Sequence, residues 1–299
     1  MDEQQIQQVR SFNRAITRRI GVLGDDYLGR GRPLAESRVL FEIGREGADV
    51  RDLRARLSLD SGYLSRLLRS LEAQGLATSQ RTAGDGRVRR MALTRKGLRE
   101  VDALDRHSQA FAASLLVSLG AAQRERMIAA MAEVERCMRA AAVTIEPADP
   151  GSADARFCID AYFRELDARF ESGFDPALGG AATDPQALVP PAGAFLLARL
   201  DGRPVGCGAL RVAGRGVGEI KRMWVASSAR GLGIAQRLLE ALERQAADTG
   251  LHTLQLDTNR ALAEARALYA RNGYREIARY NDNPYAHHWF EKRGLGRRK

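Results

Sequence analysis

The chain has 299 residues, 44% hydrophobic and 28% charged, which excludes a wholly disordered protein and is length enough for two domains. Its 47 Lys and Arg outnumber 37 Asp and Glu for a net charge of +10, but only four are lysines, so an arginine bias from genome composition can account for the pI. Three scattered cysteines exclude a disulfide framework, and the four histidines form no ligand-spaced cluster with them, so no metal is expected. The first residues lack the basic and apolar regions of a signal peptide, and no apolar stretch is long enough to cross a membrane; a cytoplasmic protein with no membrane partner is expected.

Apolar periodicity predicts helices over 3–23, 37–46, 50–57 and 60–74. Asp60 is placed to cap the last of these, and Gly75 to stop it. Leu64, Leu67, Leu68 and Leu71 share its inner face, which leaves Ser61, Tyr63, Ser65, Arg66 and Arg69 mainly outward. Arginine pairs bidentately with guanine edges and hydroxyls reach bases or phosphates, so this face suits a duplex groove. Tyr63 could equally pack on a neighbouring helix. Strands are predicted on either side of Gly84-Asp85-Gly86, with Arg81, Arg87, Arg89 and Arg90 near the hairpin tip. Residues 51–99 hold 12 basic and 4 acidic side chains, so the charge excess falls on this helix and hairpin. A helical dimerisation domain with a solvated basic surface is the plainer alternative. One more helix is predicted over 98–143.

Residues 30–142 resemble the MarR family of bacterial regulators through the 64–75 stretch, Asp85-x-Arg87 and Leu93-Thr94-Arg95-Lys96-Gly97. The resemblance implies a mainly-α winged helix-turn-helix domain, placed here at 1–143. Its terminal helices (3–23 and 98–141) would form a homodimer that binds palindromic double-stranded DNA. The DNA-contacting set is then Ser61, Tyr63, Ser65, Arg66, Arg69, Arg87 and Arg89.

Pro147, Pro150 and Gly151 mark 144–152 as a linker. Beyond it, over 153–299, strands are predicted at 194–200, 205–212, 218–225 and 253–257, with helices at 153–170, 231–247 and 261–272. A strand ending at Val225 leads through a short loop into Arg230-Gly231-Leu232-Gly233-Ile234-Ala235. Glycines at a strand-to-helix turn let backbone N–H groups approach an anion, and the helix dipole favours a pyrophosphate there.

The string Arg230-x-x-Gly233-x-Ala235, followed by Ala265-x-x-Leu268-Tyr269-x-x-x-Gly273-Tyr274, is similar to the GNAT acyltransferases over about 155–292. The resemblance implies an α/β fold with a central mixed, largely antiparallel sheet and acetyl-CoA as cosubstrate. Its pantetheine arm would lie on Met223, Trp224 and Val225, and its pyrophosphate on Arg230, Gly231, Leu232, Gly233, Ile234 and Ala235. Tyr269 matches the tyrosine that protonates the departing thiolate. Glu219 holds the strand position that serves some branches as general base. As residues alone, Tyr269 could be a buried aromatic and Glu219 could pair with Lys221 or Arg222. Cys207 reads as packing. Where many members have asparagine this chain has Leu262; Asn259 is near but out of register. Tyr162, Arg169 and Phe174 are expected to line the site of a small-molecule amine acceptor, and 280–285 could close over it.

The leading expectation is a regulator fused to a direct-transfer N-acetyltransferase. One rival is a transcription factor whose second domain only senses acyl-CoA or an amine. Another is an enzyme whose first domain only dimerises, without salt-dependent DNA retention.

Overall fold

The computed structural model describes residues 2–20, 26–81, 89–178 and 184–295. The chain forms two compact units, Met1–Ala129 and Ala130–Lys299.

The first unit contains α1 (Glu3–Ile20), α2 (Leu34–Ile43), β1 (Ala48–Asp49), α3 (Val50–Leu57), α4 (Ser61–Ala73), β2 (Ala77–Arg81), β3 (Arg89–Leu93), α5 (Arg95–Val117) and the start of α6 (Ala121–Ala142). Its strands are antiparallel in the order β1-β3-β2. The four leucines of α4 meet Val39, Leu40 and Ile43 of α2, Leu53 of α3 and Met91 of β3 in one core. Their three- and four-residue spacing puts them on one helix face, and each buried leucine contributes roughly 1.5–3 kcal/mol. The Asp60 carboxylate accepts the Tyr63 N–H at 2.8 Å and caps α4. Thr94 caps α5 by accepting the Gly97 N–H at 3.0 Å. A Cβ on Gly97 would stand 2.0 Å from the Leu76 carbonyl oxygen, so only glycine lets α5 start this close to that backbone.

The single helix expected over 98–143 is two. The chain breaks at Ser118–Gly120, where the Gln123 side chain accepts the Gly120 N–H at 3.0 Å. Leu115, Leu116 and Leu119 carry the apolar period through the break, which hid it. The tip of the expected hairpin, with Asp85 and Arg87, lies outside the described residues. Neither α1 nor α6 has a buried residue; Ile6, Val9 and Phe12 on the one, and Ile128, Met131, Val134 and Met138 on the other, are exposed.

The second unit is built on a seven-stranded sheet of β4 (Thr144–Pro147), β5 (Gly193–Leu200), β6 (Arg203–Gly214), β7 (Val217–Val225), β8 (Thr253–Thr258), β9 (Arg275–Ile277) and β10 (His288–Arg293), ordered β4-β5-β6-β7-β8-β10-β9. All neighbours are antiparallel except β7 and β8. Alternation along β5 sends Ala194, Leu196 and Ala198 to one face, where Leu238, Leu239 and Leu242 of α8 (Ile234–Asp248) cover them. Phe195 and Leu197 face Ala155, Cys158 and Ile159 of α7 (Ala153–Arg169). The remaining helix is α9 (Ala263–Arg271).

In place of a linker, 144–147 form the edge strand, paired with β5 from Thr144–Arg199 to Pro147–Leu196. An edge position tolerates Pro147, which has no N–H for a second neighbour. Only the next residues turn, and Ser152 then caps α7 by accepting the Ala155 N–H at 3.3 Å.

Candidate active site and nucleic-acid face

On α4, Ser61, Arg66 and Arg69 are exposed, while Tyr63 and Ser65 are half-buried. Tyr63 packs against the core, as the alternative reading of its sequence allowed, and its ring lies 5.5 Å from the Arg66 guanidinium. The Arg69 Nε donates to the Ser65 carbonyl at 3.3 Å. Arg89 at the base of the hairpin donates to Ser79 Oγ at 3.0 Å and pairs with Glu72 of α4 at 3.1 Å, which ties hairpin to helix. Arg87 lies outside the described residues.

In the second unit, β7 and β8 are hydrogen-bonded only from Val217–Thr253 to Glu219–Gln255. Past that point β7 carries a bulge: its register with β6 shifts between Cys207–Trp224 and Ala209–Lys221, and Arg222 takes a left-handed φ of +55°. The strands part there, and two cavities occupy the opening. The larger, about 400 Å³, is walled by Met223, Trp224 and Val225 on β7, by Arg230, Gly231, Gly233, Ile234 and Ala235 on the loop, and by α9. The smaller, about 90 Å³, is reached by Phe163, Phe170, Phe174, Asp257 and Tyr285. Tyr162, Met223, Leu262 and Tyr269 line both, so the cavities meet at these side chains.

Gly231 and Gly233 have φ of +81° and +72°, and nothing lies within 4 Å of where their Cβ atoms would be. Gly233 starts α8 without any side-chain cap, so the first N–H groups of α8 face the larger cavity as open donors. Arg230 reaches back to the Val225 carbonyl at 3.2 Å and forks onto Glu165 at 2.5 and 2.7 Å. Trp224 Nε1 also donates to Glu165, at 2.9 Å. Burial works to raise the Glu165 carboxyl, but the hydrogen bonds from Arg230, Trp224 and Arg169 outweigh it and hold the group below the usual carboxylate range.

Two expected site residues direct their side chains away from the cavity expected for them. Leu232 is buried in the core beneath the loop and walls neither cavity. Arg169 lines the larger cavity and not the acceptor side. As the last residue of α7 it pairs with Glu264 and donates to the Ala261 carbonyl at 2.6 Å, which fixes it beside the start of α9.

Tyr269 is buried, packed on Tyr274 and Phe290 with ring centroids 5.8 and 6.1 Å away. Burial, reinforced by the Asp257 charge, pushes its phenol well above the ordinary value, so it stays protonated at neutral pH. Glu219 borders neither cavity. Its side chain is 2% exposed and ion-paired with Lys221 at 2.7 Å and Arg211 at 2.5 Å, and it accepts the Tyr280 hydroxyl at 3.1 Å. Burial works to raise this carboxyl; the Lys221 and Arg211 charges and hydrogen bonds prevail and lower it. Cys207 is also buried: its hydrogen-bonded neighbour Cys158, with burial, pushes its thiol well above the ordinary range, which suits packing and not nucleophilic attack.

The profile of the acetyltransferase (GNAT) family matches residues 159–274, and that of the MarR family matches 30–88. An IAA acetyltransferase of Azospirillum brasilense is 42% identical over 111 residues, which are 37% of this chain and 72% of that protein. The chain belongs to the GNAT acetyltransferase family. Ahead of its acetyltransferase part, residues 30–88 are similar to the MarR family. The HTH-type regulator SarZ of Staphylococcus saprophyticus is 45% identical over 60 residues, 20% of this chain and 41% of that protein, so less than half of that regulator is spanned. A solved GNAT-family acetyltransferase from Staphylococcus aureus is 19% identical with a TM-score of 0.44, covering 52% of this chain and 99% of that one.

One residue lining the smaller cavity escaped the sequence: Asp257, near the end of β8. It accepts Asn281 and Asn283 side-chain amides at 2.6 and 2.7 Å, with Lys221 at 3.4 Å. No local signal marked it, because Leu254-Gln255-Leu256-Asp257-Thr258 alternates apolar and polar like any half-buried strand. Asn259 holds the Tyr285 carbonyl at 2.7 Å and so ties the closing loop to the sheet end. The 280–285 segment thus does border the acetyltransferase cavity, through Asn283 and Tyr285. Among the described residues no group of three or more His, Cys, Asp or Glu is arranged to hold a metal, and no helix is long and apolar enough to cross a membrane.

Proposed function

We propose that the chain is both a DNA-binding regulator and an acetyl-CoA-dependent N-acetyltransferase that passes acetyl directly to a small-molecule amine. The observation that carries this reading is the protonated Tyr269 at the junction of two cavities, one walled by the open N-terminus of α8 and the other holding a carboxylate. The freed β7 backbone at Met223–Val225 fits a pantetheine arm. The glycines and uncapped N–H groups at 231–235 fit a pyrophosphate, with Arg230 free to exchange Glu165 for phosphate. Acetyl-CoA would supply the activated acyl group.

The amine nitrogen attacks the thioester carbonyl carbon as the C–N bond forms and the C–S bond breaks. Asp257 receives the proton that the nitrogen sheds and passes it to solvent. Tyr269 donates its phenolic proton to the departing sulfur and is reprotonated from solvent. Glu219, outside both cavities and held ionised by two cations, acts in this reading as the brace for Lys221.

On the regulatory side, the uncovered apolar stripes of α1 and α6 support a homodimer, and two α4 faces would then address a palindromic operator. Replacing Arg66 or Arg69 by alanine is expected to reduce the slope of log affinity against log salt by about one where the side chain meets a phosphate, and to weaken binding at one base position where it meets a base edge. Titration of duplex DNA at several salt concentrations reads this.

The proposal as a whole is tested by thiol release from acetyl-CoA across an amine panel, alongside salt-dependent retention on duplex DNA. Acetyl-CoA binding with no transfer to any amine would favour the sensor reading. Retention that ignores salt would remove the DNA role.

A further inference from the structure

Resting on the acetyltransferase reading, we propose that the acceptor is a primary amine held one or two carbons from an aromatic ring, bound ring-inward with its nitrogen at Asp257. The smaller cavity is walled by a chain of rings. Phe174 is the hub, with centroids 5.5 Å from Phe163, 5.9 Å from Phe170 and 4.9 Å from Tyr285, and Tyr162 extends the chain 5.7 Å beyond Phe163. All five are only half-buried, so each keeps ring surface that a flat apolar body would cover. Their placement is built in. The Phe174 N–H donates to Asp167 at 2.9 Å, and the Asp175 N–H donates to the Tyr285 phenol oxygen at 2.9 Å. These bonds lock the segment after α7 against the closing loop.

The charges of the cavity select the other end of the acceptor. Its charged lining among the described residues is one carboxylate, Asp257, with two cations, Lys221 and Arg222. One ammonium finds a partner in Asp257, whose oxygens are aimed by the Asn281 and Asn283 amides; it gives up one proton through Asp257 to solvent to free its lone pair, and the second by the same route after attack. A polyamine or an amino sugar with several ammonium groups would bring its further charges onto Lys221 and Arg222. A carboxylate on the acceptor is compatible with the same two cations, so aryl amines and aromatic amino acids share this recognition chemistry.

The test uses the full chain with acetyl-CoA and follows thiol release with phenethylamine, tryptamine, phenylalanine, n-butylamine, spermidine and glucosamine. Phenethylamine or tryptamine is expected to exceed n-butylamine in kcat/KM by about 10-fold or more, the scale of burying one ring. Phenylalanine against phenethylamine tells whether a carboxylate is used. Phe174→Ala is expected to bring the aryl-to-alkyl ratio towards one. Asp257→Asn is expected to raise KM for every amine and to lower kcat with it, so that kcat/KM falls by about 10-fold or more, while leaving acetyl-CoA affinity unchanged. Spermidine or glucosamine as best acceptor, or a ratio near one in the unaltered chain, would overturn the proposal while the acetyltransferase reading stands. If acetyl-CoA fails to bind, that reading fails first. If acetyl-CoA binds but no amine turns over, calorimetric titration of phenethylamine decides: no saturable binding, or binding indifferent to Phe174→Ala, overturns the proposal.

Discussion

Tyr269→Phe is expected to lower kcat by about 10²- to 10⁴-fold, the usual contribution of a positioned proton donor, with acetyl-CoA affinity changed by no more than about twofold. The substitution removes one oxygen and keeps the ring that packs on Tyr274 and Phe290, so the core at α9 is preserved. The raised phenol keeps the donor loaded. Desolvation and the Asp257 charge both disfavour the phenolate, so the residue still carries its proton when charge develops on the sulfur as the C–S bond breaks. Single-turnover measurement separates the chemical step from product release. If the variant binds acetyl-CoA normally and turns over as fast as the parent, Tyr269 is a packing residue and the sensor reading gains.

Glu219→Ala is expected to destabilise the second unit by about 3–5 kcal/mol, because it leaves Lys221 beside a buried void with one of its two carboxylate partners gone. Glu219→Gln keeps the shape and gives a pH test. In the parent the folded carboxyl is lowered below its unfolded value, so the unfolded chain binds the proton first as the pH drops. The stabilisation is therefore present above the unfolded value of about 4.3 and is lost as pH falls through the folded one. Glutamine at this position should flatten that acid limb in denaturant titrations run across pH 3–7, while leaving the pH profile of kcat set by other groups. A glutamine variant that is fully stable, yet loses activity in proportion to a missing base, would restore Glu219 to the chemistry.

The two ends of the molecule differed in how far they could be read from sequence. On α4, spacing alone separated the buried leucines from Ser61, Arg66 and Arg69, because a helix converts position directly into direction. The loop at 230–235 was legible for a similar reason: left-handed backbone at 231 and 233 favours glycine, so the turn leaves a local mark. Asp257 left none. Its partners Asn281 and Asn283 arrive from a segment 24 and 26 residues further on, and only the fold brings them to the end of β8. Glu219 stayed between two readings for a related reason. Its strand position is evident, but whether its carboxylate looks into a cavity or onto Arg211 and Lys221 depends on neighbours across the sheet. β9 and β10 also went unseen, since His288–Arg293 mixes aromatic and charged residues without clean alternation and is recognisable as a strand only once β8 is beside it.

Strand β4 also governs where the polypeptide can be cut. A fragment begun at Ala153, the first residue of α7, discards Thr144–Pro147 and bares the β5 edge, a Gly193–Leu200 run whose only charge is Arg199 and whose flanks are apolar on both faces. Such an edge is a template for another copy of itself. The loss reaches α8 too, because Arg237 there donates to the Ala140 and Val143 carbonyls at 2.9 and 2.8 Å. Light scattering is expected to find this fragment aggregated, and one begun at Ala130 monodisperse. The solubility of the acetyltransferase would then be encoded upstream of all its catalytic motifs, in a few residues that look like spacer.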